Sequence, residues 1–573
     1  MKIPVSQIVL NEASILDLTP QVADGRLSWM APAGNATWKL IAVYEKYTNQ
    51  RSCAAATGAT DVIANGSWIV DHFSAAGAKK ITDFWDTTLL DTEEMKLLVS
   101  DVVKYFPPPY NETWVYGANG SSVKAAVLAD YRKTLTEGNQ EYLRHLVDWS
   151  HNLGVEYSSQ PGYNIPVDMS ALTPILDAPE TESLGFPTED DMRQFSGTAL
   201  LAGKSVVSNE VGAVRGAAYS QTVPELLGLF QKSFAAGISM QVIYGFGYTG
   251  EFPRMNWPGF TAFGYGFTEM WNHKTPAWNH FQDVMDFAAR HMLILQRETP
   301  KVDIAGYYYP APFDLKSGLP TETLKRLGFS YDYLGPENLS PDLEVEEGIL
   351  APSRSSYRAL VFANTTAISG YTMKAITAYA EKGLPVFFVG GVPSACRGVN
   401  ACPDGEPAQL LQALMREHKN VQVVPRDDDL PAALRSAGVV PRASFAPASE
   451  DYVFVFNAGQ AASTHSTSFE VDPARVPSVL DAWTGKRTTV LEYEQTENGI
   501  VIPVSLQPNQ TRIYVFSKPP AGGAPSFHIK SSSGALEGLS VSKEGVVEAQ
   551  VSGPANLTQS YCPQPRAGRL DSS

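Results

Sequence analysis

The stretch that decides the fold is SVVSNEVG at residues 205–212, a short β-branched run that leads into a carboxylate and a glycine. Similar short runs stand on either side of it, VEYSS at 155–159 and SMQVI at 239–243, and helical patterns separate all three. Short strands that alternate regularly with helices are typical of parallel βα units. We therefore predict a (β/α)8-type barrel, complete or incomplete, over residues 46–300.

The rest of the chain divides into four segments by its pattern. Strands and helices alternate again over 301–445, which predicts an open-sheet α/β domain. Short alternating runs over 446–517 predict a β-sandwich. Residues 1–45 contain a strand-like run at 38–44, and residues 518–573 are rich in Gly, Ser and Pro. These two ends are predicted to be an N-terminal strand segment and a weakly ordered tail, which completes a multidomain α/β chain.

The composition of the chain limits the classes of binding partner that can be expected. The 573 residues carry a net charge of −16, which disfavours nucleic acid because a phosphate backbone would be repelled. No apolar stretch approaches the roughly 20 residues needed to cross a bilayer, so no membrane partner is expected. A neutral ligand, such as a carbohydrate or a glycosylated small molecule, fits this balance best.

The four cysteines are too few for a disulfide scaffold and lack the paired spacing of a zinc site. Cys396 and Cys402 lie in one loop and are either bridged or two free thiols. The sequence has no nucleophile elbow, no P-loop and no H-E-x-x-H motif. No metal ligands are assigned, although a calcium ion held by scattered carboxylates remains an alternative.

Glycosylation sequons are frequent. Eight of the 21 asparagines begin an N-x-S/T motif, where random placement would give about three. Such enrichment suggests a secreted glycoprotein that carries sugars on surface loops. The first residues, Met1-Lys2-Ile3-Pro4, open no apolar segment, so no signal peptide is visible in this chain.

Glu210 is the main candidate for chemistry. A carboxylate just after a β-branched strand would lie at the carboxyl edge of the barrel, where burial raises its pKa towards a value useful for proton transfer. Glycoside hydrolysis needs two such carboxyl groups beside the scissile bond. The alternative is a glutamate that caps the next helix.

Other acids and a run of aromatic residues extend the candidate site. Asp177, Glu180 and Glu182 form an acidic cluster that is either functional or a solvated loop. Glu156 and Asp168 lie near strand ends and either bind sugar hydroxyls or satisfy backbone amides. Eleven of the 35 residues at 244–278 are aromatic and are interleaved with Gly and Pro, which favours a loop that packs on sugar rings over a plain core helix.

The segment 199–210, ALLAGKSVVSNE, resembles the A-H-x-x-G-K-x-V-x-x-x-E strand of glycoside hydrolase family 106. The similarity extends from Tyr47 to about Pro336, within a fungal secreted branch, and includes YNIPVDM at 163–169 and NWPG at 256–259. That family comprises inverting α-L-rhamnosidases on a (β/α) barrel, with some calcium dependence. The resemblance implies that Glu210 and Glu182 are catalytic acids, one of them the base that activates water.

Residues expected to bind the substrate are Glu156, Tyr163, Asp168, Tyr244, Tyr248 and Trp257. The chain departs from the family pattern in two ways. Leu200 and Tyr244 stand where the motifs have histidine, and the acidic segment expected between Lys104 and Asp130 is a loop whose only acid is Glu112. If that segment supplies the general acid, this chain has no obvious replacement.

The sequence therefore favours a hydrolase, an exo-acting α-L-rhamnosidase-like glycosidase that inverts configuration while releasing a terminal deoxy-sugar. A non-catalytic carbohydrate-binding relative that has lost its general acid is the alternative. Loss of the acid with retention of the pocket would reduce rate far more than affinity.

Overall fold

The computed structural model describes residues 120–161, 167–248, 257–309, 318–442 and 450–518, apart from 262, 298, 399–401 and 404. It also describes residues 22–23, 26–27, 30 and 74–79 and the strands between 527 and 563. The strand-like run at 38–44 and the loop at 104–119, with Glu112, lie outside the described residues.

The first sheet consists of four short parallel strands. They are β1 (Ser158–Ser159), β2 (Ala178–Glu182), β3 (Ser208–Val211) and β4 (Met240–Ile243), which lie side by side in that order. The helices of this part are α1 (Gly120–Asn152), α2 (Met169–Leu172), α3 (Glu189–Leu201), α4 (Val223–Ala235) and α5 (Phe281–Leu295). Helix α3 begins at Thr188, whose side chain and backbone exchange hydrogen bonds with Asp191 in a capping box.

The two faces of this sheet differ in chemistry because side chains alternate along a strand. Val211 packs with Leu226 and Phe230 of α4, so the helices cover the face that carries Val211. The carboxylates have the opposite parity and lie on the other face; they are Glu180, Glu182 and Glu210. On that face Met240 and Val242 of β4 are 40% and 39% exposed, which leaves room beside the acids.

In a closed barrel the acid-bearing face would be the interior. The sheet formed by the described residues has four strands, and a (β/α)8 barrel needs twice that number. The mixed α/β class with parallel strands is confirmed, whereas closure into a barrel over 46–300 stays a prediction.

A second parallel sheet follows. Its strands are β5 (Ile304–Tyr307), β6 (Tyr331–Leu334), β7 (Ala359–Ala363), β8 (Val386–Val389) and β9 (Val421–Val424), in the order β9-β8-β7-β5-β6. Its helices are α6 (Thr321–Arg326), α7 (Gly370–Glu381), α8 (Glu406–Glu417) and α9 (Leu430–Ser436). Phe388 and Phe387 belong to cores on opposite faces. A sheet buried on both faces explains the continuous apolar runs.

Residues 450–517 form two antiparallel sheets. The strands are β10 (Glu450–Phe456), β11 (Ser463–Phe469), β12 (Val476–Leu480), β13 (Arg487–Thr489), β14 (Glu494–Thr496), β15 (Gly499–Leu506) and β16 (Thr511–Ser517). One sheet has the order β10-β16-β12-β13 and the other β11-β15-β14. Val453 and Tyr514 of the first sheet share a core with Phe469 and Ile502 of the second, as in a sandwich. The exact domain bounds stay a prediction.

The prediction of a weakly ordered tail over 518–573 is wrong for four segments. These are β17 (Phe527–Ser532), β18 (Ala535–Val541), β19 (Val547–Ser552) and β20 (Gln559–Pro563), with β17 paired to β20 and β18 to β19. Ile529 is buried and the His528 ring stacks on Tyr493 at 4.1 Å, so β17 packs against the sandwich. The Gly and Ser content of the segment hid this pattern.

The remaining elements are short. Strand pairs are formed by Val22–Ala23 with Arg26–Leu27, by Val345–Glu346 with Ile349–Leu350 and by Ala367–Ile368 with Ala395–Cys396. Single 3-10 turns are Thr173–Ile175, Pro276–His280, Pro336–Asn338 and Asp427–Asp429. Cys396 and Cys402 form a disulfide, which decides between the two alternatives for these thiols. No described helix is both long and apolar enough to cross a membrane.

Candidate active site

Glu210 lies inside β3, near the carboxyl edge of the first sheet, rather than after the strand as the sequence suggested. Its carboxylate Oε2 accepts a hydrogen bond from Gln160 Nε2 at 2.6 Å, and the same nitrogen donates to Glu180 Oε1 at 3.1 Å. The other oxygen of Glu180 accepts from Ser208 Oγ at 2.9 Å. Three successive strands therefore contribute to one polar cluster.

Glu182 is the neighbour of Glu210 across the sheet. The two residues are paired between β2 and β3, so their Cα atoms are separated by about 4.8 Å, the spacing of adjacent strands. Glu182 is buried and accepts hydrogen bonds from the backbone N–H groups of Leu184, at 2.8 Å, and Gly185. The solvated-loop interpretation of this acidic cluster is wrong, because residues 178–182 form a central strand.

The electrostatics of the cluster raise the pKa of Glu210. Burial raises the pKa of the Glu210 carboxyl, and the negative charges of Glu180 and Glu182 raise it further, while the Gln160 hydrogen bond opposes them. A carboxyl group whose pKa is moved towards the working pH is suited to proton transfer. Glu182 is held differently, by two amide donors that stabilise a carboxylate.

Tyr244 follows β4 and closes the cluster on its far side. Its backbone N–H donates to Val211 O at 2.8 Å. Burial raises the Tyr244 pKa, with further contributions from the charges of Glu269 and Glu210. The backbone at residue 245 passes so close to Thr268 that only glycine fits. A Cβ on Gly245 would lie 2.4 Å from Thr268 O, and the φ of Gly245 is +109°.

The aromatic loop, residues 244–278, lies beside these acids. The Tyr244 ring is 6.2 Å from Phe267, which is 5.5 Å from Phe263. Large parts of several rings face solvent, with exposures of 57% for Phe246, 49% for Tyr248, 62% for Trp257, 42% for Phe260 and 49% for Phe263. Such a surface fits the C–H faces of sugar rings.

Of the predicted binding residues, Tyr244 contacts the acid cluster, while Tyr248 and Trp257 lie on the aromatic loop. Tyr163 lies outside the described residues. The structure places the other two acids away from the cluster. Glu156 is exposed and precedes β1, so it lies at the amino edge of a parallel sheet, opposite Glu210. Asp168 is buried and caps α2, where Oδ1 accepts from Ser170 N at 3.0 Å and Ser170 Oγ at 2.5 Å.

Sequence reasoning missed Gln160 and Glu269, and it left the role of Glu180 open. Gln160 directly follows β1, a position that strand placement could have identified. Glu180 belongs to the acidic cluster but looked like part of a loop. Glu269 is a lone acid among aromatic residues in the sequence. The structure places its backbone next to Gly245, which follows β4.

The arrangement of the described carboxylates decides whether they could hold a calcium ion. A group of three ligand atoms within reach of one ion occurs in the described residues at Cys396, Cys402 and Glu406, and its two sulfurs are joined in a disulfide. Between Glu180 and Glu210 lies the Gln160 amide nitrogen, a donor that cannot bind a cation. The acids as arranged do not fit a calcium site, and no step is derived through one.

A comparison with known protein families shows which family the chain belongs to. A model of the α-L-rhamnosidase family, glycoside hydrolase family 106, matches residues 123–494. The match covers more than half of the chain, so the chain belongs to this family of glycosidases, as the motif at 199–210 suggested. The chain is also 25% identical over 417 residues to a protein from Formosa agariphila named "Putative beta-glucuronidase". That alignment covers 67% of this chain and 34% of the relative, so the chain spans about a third of the relative's length.

A solved rhamnosidase structure shares the fold of this chain. A rhamnosidase from Novosphingobium sp. PP1Y superposes with a TM-score of 0.58 at 18% identity, over 74% of this chain and 43% of that one. A β-galactosidase from the psychrophilic Marinomonas ef1 gives a TM-score of 0.44 at 10% identity, over 78% of this chain and 74% of that one, which is too weak to carry an argument.

Proposed function

We propose that this protein hydrolyses a terminal deoxy-sugar, such as α-L-rhamnose, from a glycan or glycoside, acting from the chain end with inversion. The observation that supports this most is the position of Glu210. Its carboxyl group has a raised pKa, lies at the carboxyl edge of a parallel sheet beside two glutamates of the neighbouring strand, and adjoins the exposed aromatic loop. A sugar packed on the aromatic rings would place its anomeric carbon near these acids.

In this mechanism Glu210 acts as the base. Its carboxylate takes a proton from a water molecule, and the water oxygen attacks the anomeric carbon on the face opposite the leaving group. The bond between that carbon and the glycosidic oxygen breaks, and the oxygen leaves with a proton from a general acid. Gln160 orients the Glu210 carboxylate, since its amide donates to Oε2 at 2.6 Å.

Glu182 supports the reaction by charge. Inverting enzymes keep their acid and base about 6.5–9.5 Å apart to admit water. Glu182 is paired with Glu210 across adjacent strands and is bound by two backbone amides, so it is poorly placed to be the general acid. Its negative charge would stabilise the oxocarbenium-like transition state.

The test is hydrolysis of an aryl α-L-rhamnoside by the full chain and by Glu210→Gln and Glu182→Gln, with aryl α-L-fucoside and β-glucuronide as competing substrates. Glu210→Gln should lower kcat at least 100-fold while its L-rhamnose affinity changes little, at the scale of ~10²–10⁴ expected for a proton-transfer group. NMR of the first-formed anomer tests inversion. Binding of L-rhamnose without any turnover would support the alternative, a carbohydrate-binding relative.

Export as a glycoprotein belongs to the same proposal. Asn364 begins a sequon and is exposed, whereas the Asn338 amide is engaged, since Nδ2 donates to Ser170 O at 2.9 Å. Protein from a eukaryotic host should therefore lose mass on treatment with an N-glycan-removing enzyme, and Asn364→Gln should lose part of that shift. No mass change in the wild type would refute export through a glycosylating pathway.

A further inference from the structure

An exposed tryptophan lies where helix α5 meets the sandwich. Trp483 belongs to the turn between β12 and β13, is 49% exposed, and its ring lies 4.5 Å from the Phe287 ring of α5. Asp481 fixes the turn, because its carboxylate accepts from the Trp483 backbone N–H at 2.9 Å and from Thr484 Oγ1 at 2.6 Å. A large aromatic ring therefore faces solvent from a rigid mount, and a ligand that stacks on it has no turn to order.

A row of three planar polar side chains on α5 leads to this ring. Gln282, Asp286 and Arg290 are spaced four residues apart, so they follow one line along the helix. Asp286 Oδ1 accepts from Gln282 Nε2 at 2.7 Å, and Oδ2 accepts from Arg290 Nη2 at 3.2 Å. Arg290 Nη1 donates to the carbonyl oxygens of Ala482 and Trp483, both at 2.8 Å. The row and the turn that carries the ring are thus joined by hydrogen bonds.

A second exposed tryptophan precedes the row. Trp278, the last residue of the aromatic loop, is 40% exposed and stacks on Phe281, the first residue of α5, at 5.3 Å with 9° between the rings. From Trp278 to Arg290 the helical rise gives a span of roughly 20 Å. Two ring platforms with hydrogen-bonding groups between them match a sugar chain, which presents C–H faces to rings and hydroxyl groups to polar side chains.

The row leads away from the candidate active site. Helix α5 runs antiparallel to β4, because Gln296 Nε2, just past the end of α5, donates to Ser239 O, just before β4, at 2.8 Å. The start of α5 with Trp278 therefore lies towards the carboxyl edge of the sheet, which is the edge of Glu210. Trp483 lies further towards the amino edge. A chain that leaves the Glu210 site past the aromatic loop would meet Trp278 first and Trp483 last.

We propose that the outer surface of α5 between Trp278 and Trp483 binds the part of a neutral glycan that extends beyond the terminal sugar at Glu210. The inference rests on the proposed function for the identity of the sugar and the direction of the chain. The charges of Asp286 and Arg290 offset each other, which suits an uncharged ligand. A carboxylate has about four acceptor positions, so Asp286 can accept from sugar hydroxyl groups as well as from its two neighbours.

The experiment compares a long ligand with a short one. Calorimetry measures how a neutral hexasaccharide of α-L-rhamnose and L-rhamnose itself bind to Glu210→Gln, in which turnover is blocked. Adding Trp483→Ala should raise the Kd of the hexasaccharide roughly 10-fold or more, the effect of truncating a tryptophan that anchors a ligand, and leave that of L-rhamnose unchanged. Adding Gln282→Ala should raise it about 3-fold, the effect of one hydrogen bond.

Turnover by the otherwise unchanged chain gives a second measurement. Trp483→Ala should raise KM for the hexasaccharide and leave KM and kcat for an aryl α-L-rhamnoside unchanged, because the aryl substrate is too short to reach α5. Trp278→Ala should also raise KM for the hexasaccharide. Tyr371→Ala is the matched control, since Tyr371 is an aromatic residue on α7 with the same 49% exposure, and it should change neither substrate.

An equal hexasaccharide Kd with and without Trp483, or an equal loss of affinity for L-rhamnose, would overturn the inference, as would no binding of the hexasaccharide at all. Binding that depends on Trp483 without hydrolysis by the wild type would leave the inference standing and refute the hydrolase. Hydrolysis of both substrates with no dependence on Trp483 would refute the inference alone. If Trp483→Ala does not fold, Gln282→Ala and Trp278→Ala, which alter exposed side chains, still decide.

Discussion

Gln160 Nε2 lies 2.6 Å from Glu210 Oε2, and this contact ties the residue after β1 to the central acid of β3. The amide hydrogen stabilises the charged form of Glu210. It acts against burial and against the neighbouring charges, which together raise the pKa of Glu210. The working protonation state of Glu210 is therefore a balance between a donor and two other carboxylates, and each contribution can be removed separately.

Gln160→Leu removes the donor. The pKa of Glu210 should rise further, and because the base must be ionised, the acidic limb of the kcat/KM profile for an aryl rhamnoside should move to higher pH. Gln495→Leu is the control, since that amide donates to Pro473 O at 2.7 Å in the sandwich. A limb that stays in place in Gln160→Leu would contradict the role of Gln160.

Glu180→Gln should move the same limb the other way. The substitution removes a negative charge that raises the pKa of Glu210, so Glu210 should ionise at lower pH. The glutamine side chain can still accept from Ser208 Oγ, which keeps the local packing. The measurement is again the pH profile of kcat/KM. Shifts of the same sign in Gln160→Leu and Glu180→Gln would show that the substitutions act through general disturbance of the site.

The sequence predicted the parts of this site that follow from periodicity. Parallel βα units place strand ends at one edge, and so Glu210 and the loop after β4 could be assigned to it. It could not predict strand β2, because APETE has a proline and two glutamates and reads as a loop. Pairing with β1 and β3 on either side holds these residues extended, so tertiary contacts override local preference.

Glu156 and Asp168 show how sequence pattern can assign residues to a site in which they do not lie. Both are acids near strands, and pattern alone does not say which edge of the sheet a residue occupies or whether its oxygens are already used. Asp168 caps a helix and Glu156 lies before its strand. Glu269 was missed because Gly245, which lies next to its backbone, is distant in sequence and is brought close only by the fold.

A buried ion pair in the second sheet should dominate its stability. Asp303 is fully buried, with Oδ1 3.6 Å from Arg442 Nε and Oδ2 2.9 Å from Ser330 N, and burial raises the pKa of Asp303 to about 6. Arg442→Met removes the ion-pair partner of the buried carboxylate and should lower the free energy of unfolding by about 3–5 kcal/mol at pH 8. Urea denaturation measures it.

The decrease in the free energy of unfolding caused by Arg442→Met should be smaller at pH 5 than at pH 8. The folded-state pKa of Asp303 lies above the unfolded value of 3.8, so the folded protein keeps its proton at pH 5 and loses it as pH rises through about 6. The control is Arg426→Met, which breaks an exposed pair with Asp429 and should leave the free energy of unfolding almost unchanged at both pH values. Equal losses at pH 5 and pH 8 would show that Asp303 is not the group left uncompensated.

His291 should make the contact between α5 and the sandwich sensitive to acid. Its ring stacks on Phe234 at 4.9 Å, Nε2 lies 3.1 Å from Thr511 Oγ, and burial lowers the pKa of His291 to about 4. The unfolded chain takes up a proton below about pH 6.5 and the folded protein does not, so stability falls as pH drops from about 6.5 towards 4.

His291→Gln cannot titrate, so the wild type should lose up to about 1.4 kcal/mol per pH unit more than the variant over this range. Asp303 and Asp332, whose pKa values are raised to about 6, oppose this fall in both proteins and cancel in the difference. Parallel curves of unfolding free energy against pH would mean that His291 titrates with the same pKa in the folded protein and in the unfolded chain.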